Sequence, residues 1–339
     1  MYTSKVRAAL LKDSYLIPMG VFLTMENIVA IFILYRCSRL NFQIKILSIN
    51  MAVTDLLTGV MLSTPLEVLL VGNERCELKK YVSFLFINTS IFTITTFNLD
   101  RCFVFWLAMR YYSYITKKLV VKSCVFLWIT SFIVTYFMFY DEDHSYGICC
   151  GYMYTLKKNI INNAVKSFLL LLVFSNLIMY GYLLRCIKGS LRRTFDLSHF
   201  RTCKMINNQS NVVKKLSVIT GLFLAMYTPF ILTLTFPILD YSKTSGKLIH
   251  TLTGVLMVLN SAVNPILYIW RFKEPRYQLK RLLCFFHKNY LEKMQHAYTS
   301  EVATYNISTE KDVYTFSYEK GQDSVRQGYC TSNELKVDM

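Results

Sequence analysis

Seven apolar runs of 21–32 residues divide the chain: Tyr15–Tyr35, Ile44–Val71, Cys76–Leu107, Leu119–Tyr140, Ile160–Ile187, Val212–Leu239 and Leu248–Trp270. Each is long enough, as a tilted helix, to cross about 30 Å of hydrocarbon. Backbone N–H and C=O groups in lipid must pair within their own segment, so all seven are predicted to be helices. The expected fold is all-α, a seven-transmembrane helix bundle over residues 15–271. The third run sets the frame. From Cys76 to Arg101 a helix covers roughly 37 Å, so those two residues fall at opposite faces of a membrane. An Asp100-Arg101 pair near lipid marks a functional site or an interfacial anchor.

The connections alternate in charge. One set is strongly basic, from Arg36, Arg39 and Lys45 through Arg110, Lys117 and Lys118, Arg185 to Lys215, and Arg271 to Arg281. The other set mixes signs, as in Glu74-Arg75-Cys76-Glu77 and Asp141-Glu142-Asp143. The basic set belongs in the cytoplasm. Seven crossings then put the N-terminus outside and the C-terminus inside, with Arg101 on the inner side. Residues 1–14 form a short extracellular lead with no Asn-x-Ser/Thr sequon and no cleavable signal pattern.

Residues 272–286 are predicted to be a short amphipathic helix on the inner leaflet, with Pro275 at its first position. Leu279, Leu282, Leu283 and Phe286 form one face and Arg276, Lys280 and Arg281 the other. Cys284 at its end is a candidate palmitoylation site, or an unmodified buried thiol. Residues 287–339 are polar and read as a disordered cytoplasmic tail, with Thr299, Ser300, Thr304, Ser308 and Thr309 as phosphate acceptors.

Composition narrows the class. The chain is 53% hydrophobic with a mean hydropathy of +0.33, too apolar for an ordinary soluble domain. The net charge of +17 lies between apolar runs and makes no continuous basic face, which argues against nucleic acid. The ten cysteines show no zinc spacing, and no nucleophile–base arrangement is visible, so no enzymatic chemistry is expected.

Asn27, Asp55, Asp100-Arg101, Trp128, Pro229 and Asn264-Pro265-x-x-Tyr268 fall in order, one set per run except the fifth. Together they resemble a rhodopsin-like G-protein-coupled receptor over about residues 15–286. Glu26-Asn27 and a fifth run without proline look like the melanocortin, lysophospholipid, cannabinoid and adenosine group. Ala108-Met109-Arg110-Tyr111-Tyr112 is similar to the second inner loop of melanocortin and adenosine receptors.

The resemblance implies an extracellular ligand, a heterotrimeric G protein as partner, and receptor kinases and arrestin acting through the tail at the plasma membrane. It implies a sodium pocket around Asp55, with Ser90, Asn260 and Asn264 as partners; a neutral, hydrogen-bonded Asp55 is the competing reading. In the family Arg101 pairs with Asp100 at rest and turns to the G protein on activation, and Tyr180 and Tyr268 stabilise the opened state. Pro229 bends the sixth helix. An acidic residue often holds the Arg from that helix; the position is Gln209 here, so a weaker resting lock and basal activity are expected. Cys102 stands where Tyr is usual, and Tyr227 where Trp is usual. Cys76 resembles the outer cysteine that bonds to the second outer loop, and Cys149 and Cys150 are its two candidate partners.

The ligand is only loosely bounded. Biogenic-amine receptors have Asp at the position of Ser83, and adenosine receptors have Asn at that of Leu234. Melanocortin receptors use acids where Cys76 and Lys80 stand. Lys79 matches a basic residue of lipid-binding relatives, so Lys79, Lys80, Ser83 and Tyr227 are the candidate ligand contacts, with a lean to a lipid or anionic small molecule; a solvated lysine pair is the alternative. Three rivals remain: a transporter, which wants internal repeats; an opsin, which needs a lysine missing from Val255–Tyr268; and a receptor-like protein that modulates a partner receptor without signalling.

Overall fold

A computed structural model describes residues 16–64, 74–107, 111–139, 160–196, 200–236 and 244–284, together with Glu292, Gln295 and Thr299. The side chains of 189–216 and of several residues at the outer helix ends fall outside that description. The described residues form nine helices. They are α1 (Leu16–Arg36), α2 (Phe42–Ser63), α3 (Glu74–Leu107), α4 (Tyr111–Tyr114) and α5 (Lys117–Phe139). They continue with α6 (Ile160–Asp196), α7 (Phe200–Thr235), α8 (Thr244–Arg271) and α9 (Lys273–Leu283).

Six of them, α1, α2, α3, α5, α6 and α8, are long and apolar enough to cross a membrane. In α7 the apolar part is the shorter Thr220–Thr235. The predicted sixth run began at Val212, but Lys214 and Lys215 leave the inner half of this helix polar. The second run was predicted to reach Val71. Helix α2 instead ends at Ser63, where the N–H and hydroxyl of Thr64 both donate to the Val60 carbonyl, at 3.0 and 2.6 Å.

Helix α3 runs through the middle, packing on α2, α5, α6 and α7, and is the most buried of the spans. Its sequence carries many threonines that an apolar environment would penalise. Thr89, Thr93, Thr95 and Thr96 each donate to the carbonyl four residues earlier, at 2.7–2.9 Å, so their hydroxyls are satisfied inside the helix. Helix α8 packs on α1, α2 and α7 and closes the bundle. The outer face of α5 shows Phe126, Ile129, Phe132 and Ile133, an apolar surface suited to lipid.

The α1–α2 crossing depends on two glycines. A Cβ on Gly20 would meet the Ser63 nitrogen at 2.5 Å and the Gly59 carbonyl at 2.7 Å. One on Gly59 would meet the Thr24 nitrogen at 2.7 Å. Only a bare Cα lets the two backbones come this close.

Pro229 and Pro265 lie inside α7 and α8. Each removes a backbone donor and weakens its helix locally. In α9 Pro275 is the third residue rather than the first, because Lys273 opens the helix and Phe272 before it is packed into the core. The first-turn position still suits proline, since those N–H groups have no partner within a helix.

Candidate functional site

The polar residues inside the bundle fall at two depths. Asp55 on α2 is fully buried. Asn264 on α8 donates to its Oδ2 at 2.9 Å, and Ser261, one helical turn earlier, is buried. Asp55 Oδ1 and Asn260 Nδ2 are buried without partners among the described residues. Ser90 on α3 and Tyr227 on α7 are both buried. Glu26 Oε2 on α1 is likewise buried without a donor among the described residues. An orphaned, buried carboxylate oxygen such as Asp55 Oδ1 is a hard ligand of the kind an alkali or alkaline-earth cation takes.

Asn50 ties three helices beside this centre. Its Nδ2 donates to Thr93 Oγ1 on α3 at 2.9 Å, and Trp128 Nε1 on α5 donates to its Oδ1 at 3.0 Å. Tyr227 on α7 stacks on Phe223 with ring centroids 4.1 Å apart and planes 15° apart. Tryptophan at position 227 would bring only a donor; the Tyr227 hydroxyl can both donate and accept.

At the inner end of α3, Arg101 and Asp100 are buried and paired. Tyr111, the first residue of α4, donates its hydroxyl to the other Asp100 oxygen. Arg101 Nε is buried without an acceptor. Tyr268 is fully buried and its hydroxyl has no partner among the described residues. Tyr180 is half-buried on α6, with its hydroxyl 2.8 Å from where a Cβ on Gly221 would stand. Cys102 packs on Leu183 and Ile187 of α6. Residue 102 therefore sits in an apolar seam, where a thiol behaves as a small hydrophobe.

Several predicted positions lie outside the described residues. These are Cys149 and Cys150, the side chains of Cys76, Lys79, Lys80 and Gln209, Phe286, residues 1–14, and the tail except Glu292, Gln295 and Thr299. Ser83 is half-buried at the outer half of α3, and Cys284 is a half-buried free thiol at the end of α9.

Two features escaped the sequence reading. Glu274 was not singled out. It is buried, and it accepts from the Ser38 N–H at 2.8 Å and the Arg39 N–H at 3.0 Å. A cluster of Asn98, Asn176 and Thr220 was also missed. Asn98 Nδ2 donates to Asn176 Oδ1 at 2.7 Å, and Thr220 Oγ1 donates to Asn98 Oδ1 at 3.0 Å. Its signal was two asparagines and a threonine within apolar runs on three different helices.

Residues 26–268 match the family described as 7 transmembrane receptor (rhodopsin family). G-protein coupled receptor 12 of Homo sapiens is 26% identical over 286 residues, covering 80% of this chain and 81% of that protein. Adenosine receptor A2b of Gallus gallus is 20% identical, covering 69% and 77%. C-C chemokine receptor type 8 of Homo sapiens is 24% identical, covering 80% and 79%. The fold matches a crystal structure of squid rhodopsin with a TM-score of 0.65 at 13% identity, over 84% of this chain and 87% of that one. An all-α bundle with a paired Asp100-Arg101 at one end, and a family match over residues 26–268, lead to one conclusion: this chain belongs to the rhodopsin family of seven-transmembrane receptors.

Proposed function

We propose that this receptor passes an extracellular signal to a heterotrimeric G protein at its inner face, by a shift of population between two helix packings. The observation that carries the reading is the Asp100–Arg101 pair, buried at the end of α3 with Tyr111 holding Asp100. A buried cation with only one acidic partner is costly to keep there unless it is released in another state. Tyr268 and Tyr180 bring two hydroxyls to the same half of the bundle, and that of Tyr268 has no partner among the described residues. Outward movement of the inner half of α7 about Pro229 gives Arg101 room to turn towards an arriving partner.

As a family member the chain is a multi-pass membrane receptor and not an enzyme. The charge pattern supports a cytoplasmic C-terminus and a plasma-membrane location, with kinases and arrestin acting on the tail. Relatives named for adenosine, for histamine and for a chemokine match at similarly low identity, so their names do not choose a ligand. Lys79 and Lys80 support a lipid or anionic small molecule. The buried Asp55–Asn264 pair, with Asp55 Oδ1 left over, supports an allosteric sodium ion, whose charge would favour the resting packing.

Ligand-free nucleotide exchange on a purified heterotrimer, with the receptor in lipid nanodiscs, tests the coupling. Wild type should exceed empty nanodiscs, since Gln209 supplies no charge to hold Arg101, and Arg101→Ala should return to background. Exchange at background across a panel of G-protein classes and lipid ligands would refute coupling. It would favour a receptor-like protein that acts on a partner receptor, the reading that Cys102 and Tyr227 keep open.

A further inference from the structure

We infer that Asn98, Asn176 and Thr220 form a polar latch that holds α7 against α3 and α6 in the resting packing. Asn98 is buried and uses both ends of its amide between helices. Its Nδ2 donates to Asn176 Oδ1 on α6 at 2.7 Å, and its Oδ1 accepts from Thr220 on α7 at 3.0 Å. Asn176 is buried as well, and its Nδ2 donates to Thr95 Oγ1 on α3 and to the Leu172 carbonyl, each at 2.8 Å. Every polar atom of the two amides has a partner, so the cluster is a completed network rather than an incidental contact.

Its position decides what it does. Asn98 lies three residues before Arg101, one turn further into the membrane on the same side of α3. Thr220 lies nine residues before Pro229, which puts it about 13 Å from that hinge. A turn of about 4° there moves Thr220 by about 1 Å, which carries its 3.0 Å bond past the reach of a hydrogen bond. The same turn moves residue 209, about 30 Å from the hinge, by only about 2 Å. The inner mouth therefore cannot open far while the Thr220 bond lasts. The Asn98–Asn176 bond joins α3 to α6 and is unaffected by that swing. The latch thus opens at one joint, Thr220, and leaves Asn98 Oδ1 buried and unpaired.

The link to signalling rests on the proposed G-protein coupling; the link to helix position does not. The test uses the full chain in nanodiscs, with spin labels on non-canonical amino acids at Lys118 on α5 and Ser210 on α7. Thr220→Val keeps the shape and removes the hydroxyl, and Thr220→Ser keeps the hydroxyl. The expected result is a larger population of the longer label distance in Thr220→Val, with a wild-type distribution in Thr220→Ser. Basal nucleotide exchange should rise about three- to tenfold in the valine variant only. Thr220→Ala should repeat the valine result should that variant fold poorly. A wild-type distance distribution in both the valine and alanine variants overturns the latch, as does an equal shift in the serine variant. A shifted distance with background exchange upholds the latch and counts against the G-protein reading.

Discussion

Replacing Glu274 by Gln should loosen the junction between α9 and the turn that follows α1. The carboxylate sits in the first turn of α9, where the positive end of the helix favours an anion. Its Oε1 accepts from the Ser38 N–H at 2.8 Å, and its Oε2 accepts from the Arg39 N–H at 3.0 Å. The Ser38 hydroxyl adds a longer contact at 3.4 Å. Hydrogen bonds to a buried charge are worth about 1.5–3 kcal/mol each. Glutamine keeps one neutral acceptor and turns an N–H₂ towards the other backbone donor. About half of the total, roughly 2–3 kcal/mol, should be lost from the local opening equilibrium. Amide hydrogen exchange reads that quantity directly. Protection of the Ser38 and Arg39 amides should fall roughly 30- to 150-fold in Glu274→Gln. Unchanged protection at both amides would show that the turn is held by its own backbone and that the buried carboxylate does not secure it.

Other expectations follow from the same geometry. Burial, then the nearby Glu274 charge, push the Cys37 thiol up to about 12, with Lys45 opposing. Because the shift is upward, the thiolate stays scarce through neutral pH and forms only as pH nears that value. Alkylation of Cys37 in the folded receptor should be slow at pH 8 and at pH 9, and complete labelling within minutes at pH 8 would contradict the assignment. Tyr111→Phe removes one of the two donors on Asp100 and should weaken the resting state by about 1.5–3 kcal/mol, raising basal exchange at equal surface expression. Unaltered exchange would mean that Tyr111 does not help hold the pair. Gly59→Leu puts a Cβ 2.7–2.9 Å from Thr24 and the Gly20 carbonyl, forces the α1–α2 backbones apart and should cost about 1–3 kcal/mol, seen as a thermal midpoint several degrees lower in detergent. A midpoint equal to wild type would show that this crossing can relax freely. Asp55→Asn should abolish any suppression of basal exchange by sodium across a concentration series, and a full sodium effect in that variant would place the ion elsewhere.

The spans were legible because lipid leaves a helix no alternative, and the period and length of apolar runs are local properties. Asp100 and Arg101 were legible for a related reason, since two charges inside such a run are hard to place in lipid and stand out. What stayed hidden was the rotation of one helix against its neighbour. Sequence spacing puts Asn98 and Arg101 on one face of α3 but does not say that this face meets Asn176 and Thr220. Glu274 was hidden because its partners are backbone N–H groups, which any residue carries.

The polar side chains of α3 divide the bundle into parts that are bonded differently. Thr93 is reached from α2 through Asn50, which also holds Trp128 of α5, and Asn88 donates to Thr135 of α5 at 2.9 Å. These ties involve α2, α3 and α5, none of which has a proline in its described length. Towards α7, among the described residues, α3 is hydrogen-bonded through Asn98 to Thr220, on the inner side of Pro229. The hinge therefore sits beyond a hydroxyl that binds α7 to the centre, and a swing of the inner half about Pro229 has to break that bond.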